Sequence, residues 1–245
     1  MSQQIFLIAT HVLNETTRQL YQEIREATAG FGETRILYHQ KNQDLPQEYE
    51  HIPIHSFTDA ILQELHYTPI AKTLIPGSNH FSLLHFFLQN SPYEYYWYIE
   101  NDVRFTGNWK TIFNACQDIR VDMISAHMEL YKSNPAWRWW EPLTHPTKHI
   151  PLTERVSSFN PIYRLSYSAL TFIHQALLDK WSGHHEVLLP TLLYNNNFTL
   201  MDFGANGVFA PPGFQNRFYS WKTHRWRPSF KKVGDQMNKI YHPVK

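Results

Sequence analysis

The chain reads as an α/β domain built on a mostly parallel, mixed central sheet flanked by helices, and three features of the sequence predict it. Apolar runs of strand length recur, beginning with IFLIAT at Ile5 to Thr10. Helix-like spacing separates the runs of the first half, the alternation of strand and helix that parallel sheets require. No internal repeat, low-complexity stretch or linker interrupts the pattern, so one domain covers residues 1–245.

The elements follow in order. IFLIAT is a continuous apolar run with polar residues after it, as in a strand covered on both faces. A helix comes next: Asn14 or Thr16 can cap it, and Leu13, Leu20 and Ile24 fall on one helical face. TRILYH (Thr34 to His39) is a second strand, and HIPIHSF (His51 to Phe57) a third that ends at a cap on Ser56 or Thr58. Pro76 and Gly77 make a turn before Asn79, after which FSLLHFFL has the apolar density of a buried helix. An aromatic strand, Tyr95 to Ile99, then runs directly into acidic residues, and DMISAHM (Asp122 to Met128) is a further strand. The stretch carrying Trp137, Trp139, Trp140 and several prolines reads as an irregular flap, since long loops are usually functional or disordered. Ala169, Ile173 and Ala176, with Leu170 and Leu177 beside them, mark a helix over Ser168 to Lys180, and another begins near Glu186. Asn195, Asn196 and Asn197 turn the chain into the strand FTLMDFG.

Composition narrows the function. Lys and Arg total 22 against 21 Asp and Glu, so no general positive field recruits nucleic acid, and any anion must be captured locally. The single cysteine, Cys116, excludes an intrachain disulfide and a multi-cysteine zinc site; it suits a reducing compartment and a cytoplasmic protein. The opening residues lack a basic start and a small-residue cleavage site, and no apolar stretch approaches the ~20 residues that span a bilayer. Peripheral contact with the inner face of a membrane stays open. Walker-type, GxSxG and HExxH motifs are all absent.

The chemistry concentrates in YYWYIENDVRFTGNW, where an apolar strand ends on Glu100, Asn101 and Asp102. Ligands of open α/β sheets collect outside the carboxyl ends of strands, and carboxylates there can hold Mg²⁺ or Mn²⁺ against a phosphate. An acid-x-acid triplet can equally decorate a strand end, with Asp102 pairing with Arg104. The segment resembles the region around the DxD motif of GT-A glycosyltransferases, with Glu100 in place of the first aspartate. From about Pro76 onward the chain is similar to bacterial GT-A-like proteins that share its E-x-D-V-R and T-G-x-W elements.

The resemblance implies a GT-A-like (Rossmann-like) domain whose residues 1–110 form a nucleotide-sugar donor half and residues 111–245 an acceptor half with the C-terminal tail. It implies that Asp102 ligates a divalent cation, Mn²⁺ or Mg²⁺, on the donor diphosphate, and that Glu100 contacts the ribose or the metal. In WSGHHEVLLPTLL it points to Glu186, at a helix start, as the base of an inverting transfer to a carbohydrate or glycolipid hydroxyl, with His185 in reserve. The helix dipole favours the ionised carboxylate there unless burial opposes it, and plain helix capping is the competing role. From the tail IYHPVK, His242 is a metal ligand and Lys245 a diphosphate contact, with His224 competing. Thr10 and His11 lie where the nucleotide base binds, and Asn79 and His80 near the ribose or donor sugar. Trp137, Trp139 and Trp140 offer flat faces for an acceptor sugar, or fill core. Two other classes fit the same residues: a noncatalytic carbohydrate binder, and a metal-dependent nucleotidyltransferase or phosphohydrolase.

Overall fold

The structure, a computed structural model, describes residues 3–41 and 45–245. The first apolar run is β1 (Gln4–Thr10), buried on both faces. Asn14 caps α1 (Glu15–Thr28) by accepting from the Thr17 amide at 3.0 Å, and Leu20, Tyr21 and Ile24 turn inward. There follow β2 (Gly32–His39), β3 (Ile54–Phe57), the single turn α2 (Ile61–Glu64) and α3 (His80–Gln89). The aromatic strand is β4 (Tyr95–Glu100), with β5 (Arg104–Phe105) close behind it. Next come α4 (Trp109–Gln117), β6 (Met123–Leu130), β7 (Val156–Ser166), α5 (Tyr167–Leu178), α6 (His185–Tyr194), β8 (Leu200–Asp202) and β9 (Ile240–Tyr241).

Seven strands form one sheet in the order β3-β2-β1-β4-β7-β6-β8. The pairs β1–β2, β2–β3, β1–β4 and β6–β8 are parallel, and β7 runs antiparallel to both β4 and β6. The predicted single α/β domain with a mostly parallel mixed sheet is therefore what the chain forms. Alternate residues of β1 feed two cores. Ile5 and Leu7 pack under α3, α5 and α6 with Leu83, Phe86, Ile173 and Leu189; Phe6 and Ile8 pack under α1 and α4 with Ile24, Ile112 and Phe113. Burying both faces is why these strands read as continuous apolar runs. No helix among the described residues is long and apolar enough to cross a membrane.

Two features position the site. From β1 the chain moves outward through β2 and β3, then crosses back to place β4 on the other side of β1. That reversal opens a crevice at the carboxyl ends of β1 and β4, where Thr10, His11, Glu100 and Asp102 emerge. The second is an irregularity between β6 and β7: Ala126 pairs with Phe159 but Ile124 with Arg164, so β7 carries extra residues, Asn160 and Pro161 among them, across from Ser125. Such a bulge bends the ladder, accommodates a proline inside a central strand, and aims Ser158, Asn160 and Pro161 into the crevice.

The flap expected after β6 is shorter than its sequence suggests. Short 3₁₀ turns at Tyr131–Ser133, Arg138–Trp140 and Leu152–Glu154 lead into β7, a strand that falls within the stretch expected to be irregular. Its middle, SSFNP, lacks strand-like apolar density. Arg164, fully buried on β7, fastens it by donating to the carbonyls of Cys116 at 2.7 Å and Ile119 at 2.6 Å while lying over the Tyr95 ring.

Candidate active site

A cleft of about 720 Å³ opens at the carboxyl end of the sheet. Thr10, His11, Asn79, Glu100, Asp102, Trp137, Trp139, Glu186, His242 and Lys245 all line it. Its floor holds carboxylates and its rim arginines and tryptophans.

The acids stand on a tight turn at the end of β4, where the Asn101 amide donates to Ala9 at 3.0 Å and the Val103 amide to Glu100 at 3.0 Å. His242 reaches them because β5, just past the turn, pairs antiparallel with β9, so that Arg104 faces Tyr241 and Phe105 faces Ile240. The Val244 amide then donates to the Asp102 carbonyl at 2.9 Å. His242 Nε2 ends 3.4 Å from Glu100 Oε2 and 3.3 Å from Asp102 Oδ1. Among the described residues these three make the one group of His, Cys, Asp or Glu whose ligand atoms lie close enough to hold a cation, all within 4.8 Å of one another.

The donor chemistry fits a divalent cation. His242 Nδ1–H donates to the Arg225 carbonyl at 3.0 Å, which leaves Nε2 to face the carboxylates, the arrangement that usually fixes a metal-binding imidazole. Asn79 Nδ2 donates to Glu100 Oε1 at 3.3 Å and steadies the second acid. Two carboxylates and one imidazole leave coordination positions for water and phosphate oxygens, as Mg²⁺ and Mn²⁺ prefer. Burial disfavours charge on His242, yet the hydrogen bonds to Asp102 and Glu100 outweigh it and raise its pKa to about 9. Asp102 is also penalised by burial, but His242 and Lys245 carry its pKa below the usual range. His224, the competing histidine, is fully buried, stacks on His127 at 5.6 Å and stands outside the group.

Glu186 lies in the first turn of α6, across the cleft. His184 caps the helix, its Nδ1 accepting from the Glu186 amide at 3.3 Å, and the His185 amide donates to Gly77 at 2.9 Å. Gly77 adopts φ +94° where a Cβ would collide with Ile70 and His184, so only glycine lets the turn before α3 meet α6 so closely. The helix start favours an ionised Glu186 unless burial opposes it, and here burial does. Burial, together with the nearby charge of Glu100, pushes its pKa up to about 8. A single long hydrogen bond, from the Asn160 amide at 3.4 Å, does not offset the lost solvation. Burial likewise lowers the His184 pKa to about 4, which disfavours an ion pair at its 3.6 Å approach to Glu186.

The remaining predicted residues divide. Thr10 Oγ1 is engaged in its own turn, accepting from the Val12 amide at 3.0 Å, with His11 exposed beside it. Trp139 stacks on His184 at 4.4 Å and Trp137 borders the same wall. Trp140 is corrected: it is 2% exposed, packs against Trp137 and Tyr131, and donates its indole N–H to Asn134 at 2.8 Å, so it is core and not a cleft surface. His80 is buried beneath the cleft, its burial holding the pKa near 3, so it serves as packing against His185.

Several cleft residues carry no mark that sequence reasoning would find. Asn160, fully buried, accepts from Ser125 and Ser158 at 2.7 Å each and presents its amide to Glu186. The Asn-Pro step at 160–161 is the one local signal for it. Arg138, Trp221 and Trp226 line the cleft as well, and nothing local distinguishes them.

Comparisons with known proteins place this geometry in context. The family described as "Protein of unknown function (DUF3405)" matches residues 20–122. No curated protein matches the chain. Among solved structures, the galactosyltransferase LgtC in complex with donor and acceptor sugar analogues is 8% identical with a TM-score of 0.43, covering 89% of this chain and 74% of that one. Mouse xyloside xylosyltransferase 1, in its apo form, is 12% identical with a TM-score of 0.42, covering 98% of this chain and 97% of that one. A Bacillus anthracis protein described as a glucose-1-phosphate thymidylyltransferase is 7% identical with a TM-score of 0.39, covering 70% and 74%. The α/β assignment rests on the strand pairing, and the functional reading on the cleft.

Proposed function

We propose that this protein is a GT-A-type glycosyltransferase that moves a sugar from a nucleotide-sugar donor to a hydroxyl of a carbohydrate or glycolipid. The observation that carries the reading is the convergence of Glu100, Asp102 and His242 at the strand-reversal crevice, with a further, largely buried carboxyl, Glu186, lining the same cleft. Asp102, Glu100 and His242 would hold Mn²⁺ or Mg²⁺, which supplies charge neutralisation for a departing diphosphate. Lys245, close enough to act on the charge of Asp102, adds a cation for the same anion. All lining the cleft, Thr10, His11 and Asn79 would meet the donor, and Trp137 and Trp139 the acceptor.

Glu186 takes the acceptor proton. The hydroxyl oxygen attacks the anomeric carbon, its proton passes to the Glu186 carboxylate, and the bond from carbon to the diphosphate oxygen breaks, releasing a nucleoside diphosphate. One displacement inverts the anomeric centre. A carboxyl whose pKa lies at about 8 is well matched to this task, since a base works best near the operating pH.

The deciding experiment is sugar-nucleotide hydrolysis with Mn²⁺ and no acceptor, followed by product analysis. Slow release of a nucleoside diphosphate that chelation abolishes supports the reading. Pyrophosphate release assigns the nucleotidyl-transfer class instead, and no turnover of any sugar nucleotide leaves a carbohydrate binder.

A further inference from the structure

The cations of the rim fall into two sets. Lys245 and Arg225 belong to the tail that approaches Asp102: the Arg225 carbonyl anchors His242, and Lys245 follows two residues after Pro243. Arg138 comes from the 3₁₀ turn Arg138–Trp140 after β6. Its guanidinium carbon lies 4.5 Å over the ring of Trp139 and 5.0 Å from the ring of Trp226, which also carries Arg227 at 5.4 Å. Trp139 in turn stacks on His184, the residue that caps α6 beside Glu186. A continuous run of contacts therefore connects Arg138, through Trp139 and His184, to the carboxyl assigned to the acceptor hydroxyl.

Arg138 is held but unspent. The arginine ion pairs among the described residues belong to Arg18, Arg35 and Arg120, and among those residues no carboxylate lies within 4.0 Å of Arg138 or Arg227. Stacking on indoles occupies the faces of a guanidinium and leaves the N–H donors at its edge free. Those donors match the oxygens of a phosphate or carboxylate, which Arg binds through paired hydrogen bonds. A wall built only for neutral sugars needs the flat indoles and no exposed guanidinium between them.

We propose that the acceptor carries an oxyanion group, recognised by Arg138 in its Trp139–Trp226 setting with Arg227 in support. The proposal rests on the glycosyl-transfer reading for the word acceptor, while the binding site itself does not. A phosphate-bearing and a carboxylate-bearing sugar present the same chemistry to this arginine, and the test separates them.

Metal-free protein is titrated with glucose 6-phosphate, glucuronate and glucose, following heat and tryptophan fluorescence. One or both anionic sugars should bind at least about tenfold more tightly than glucose, the better of the two naming the source of the oxyanion. Arg138→Gln should cut that advantage to less than about threefold, and Arg138→Lys, which keeps the charge but not the fork, should restore only part of it. Equal binding of all three sugars overturns the proposal, as does an advantage untouched by Arg138→Gln. An advantage lost with Lys245→Gln but kept in Arg138→Gln also overturns it, because the anion then occupies the diphosphate side. Failure of the glycosyl-transfer reading shows separately, as absence of metal-dependent sugar-nucleotide hydrolysis in unmodified protein.

Discussion

His242 Nε2 stands 3.3 Å from Asp102 Oδ1 while the Nδ1–H of the same ring is donated to the Arg225 carbonyl, so the imidazole is locked with one nitrogen directed at two carboxylates. Asp102→Asn keeps the shape of the side chain and removes one of the group's two carboxylates. Losing an outer partner of a metal ligand typically costs roughly 10–100-fold in affinity, so losing a ligand should cost at least about a hundredfold in Mn²⁺ binding by calorimetry. Glu100→Gln should cost less, since Asn79 still orients the side chain. Unchanged Mn²⁺ affinity in Asp102→Asn would remove the metal from the group.

The tail gives a second prediction. Deleting residues 242–245 removes His242, Lys245 and the Val244 amide that donates to Asp102, but spares the β5–β9 pairing at Arg104–Tyr241 and Phe105–Ile240. The truncated chain should keep its far-ultraviolet spectrum and bind a sugar nucleotide with Mn²⁺ at least about tenfold more weakly. Equal donor affinity would exclude the tail from the site.

What the sequence made legible was local. The continuous burial of β1 and β4 shows as apolar runs, the cap on Asn14 precedes its helix, and Glu100 and Asp102 stand out because they interrupt an aromatic strand. The missing parts depend on distant pairings. β7 hides because its bulged middle, Ser157 to Pro161, faces polar partners in the cleft, and Trp140 resembles its neighbours until packing sends it inward. The ionisation of Glu186 could not be read either: a helix start favours the anion, and only its depth in the fold reverses that preference.

Arg164 supplies a test of how β7 is held. Arg164→Met replaces a buried cation by an apolar chain of similar length and takes the donor from the Ile119 carbonyl, while the Cys116 carbonyl keeps the backbone amides of Asp118 and Ile119. An unsatisfied buried acceptor costs roughly 1–3 kcal/mol, so the loss should be about 1–3 kcal/mol in urea unfolding. A change well under about 1 kcal/mol would mean that another group satisfies the Ile119 carbonyl.

The buried histidines predict how stability follows acid. His80, His127 and His184 have their pKa values lowered by burial to about 3, 4 and 4, below the unfolded value near 6.5. Their contribution is complete above pH 6.5 and is lost as pH falls toward 4, where the unfolded chain binds protons that the fold refuses. Each steepens the decline by up to roughly 1.4 kcal/mol per pH unit. The midpoint of thermal unfolding should drop steeply between pH 6.5 and 4, and His127→Gln should flatten the slope. A midpoint constant across that window would show that these rings titrate normally.

Glu186 carries the last prediction, in which stability and activity pull apart. Its folded pKa of about 8 lies above the unfolded range near 4.5, so its contribution is fully present below pH 4.5 and is lost as pH rises through 8, where the fold must bury a charge. Glu186→Gln stays neutral at every pH. The variant should therefore match the parent in stability near pH 4.5 and exceed it increasingly up to pH 8, as a fold relieved of a buried acid does. Its transfer rate should move the other way. A general base contributes typically ~10²–10⁴ in rate, so single-turnover transfer should fall by at least about a hundredfold while Mn²⁺ and donor affinity change little. In the parent, kcat/KM should climb about tenfold per pH unit up to pH 8 and level beyond it, and the variant should lose that dependence. A Gln variant that is inactive yet no more stable at pH 8 would assign Glu186 a structural role at the head of α6. A product with retained anomeric configuration would reject the single displacement whatever the variant's rate.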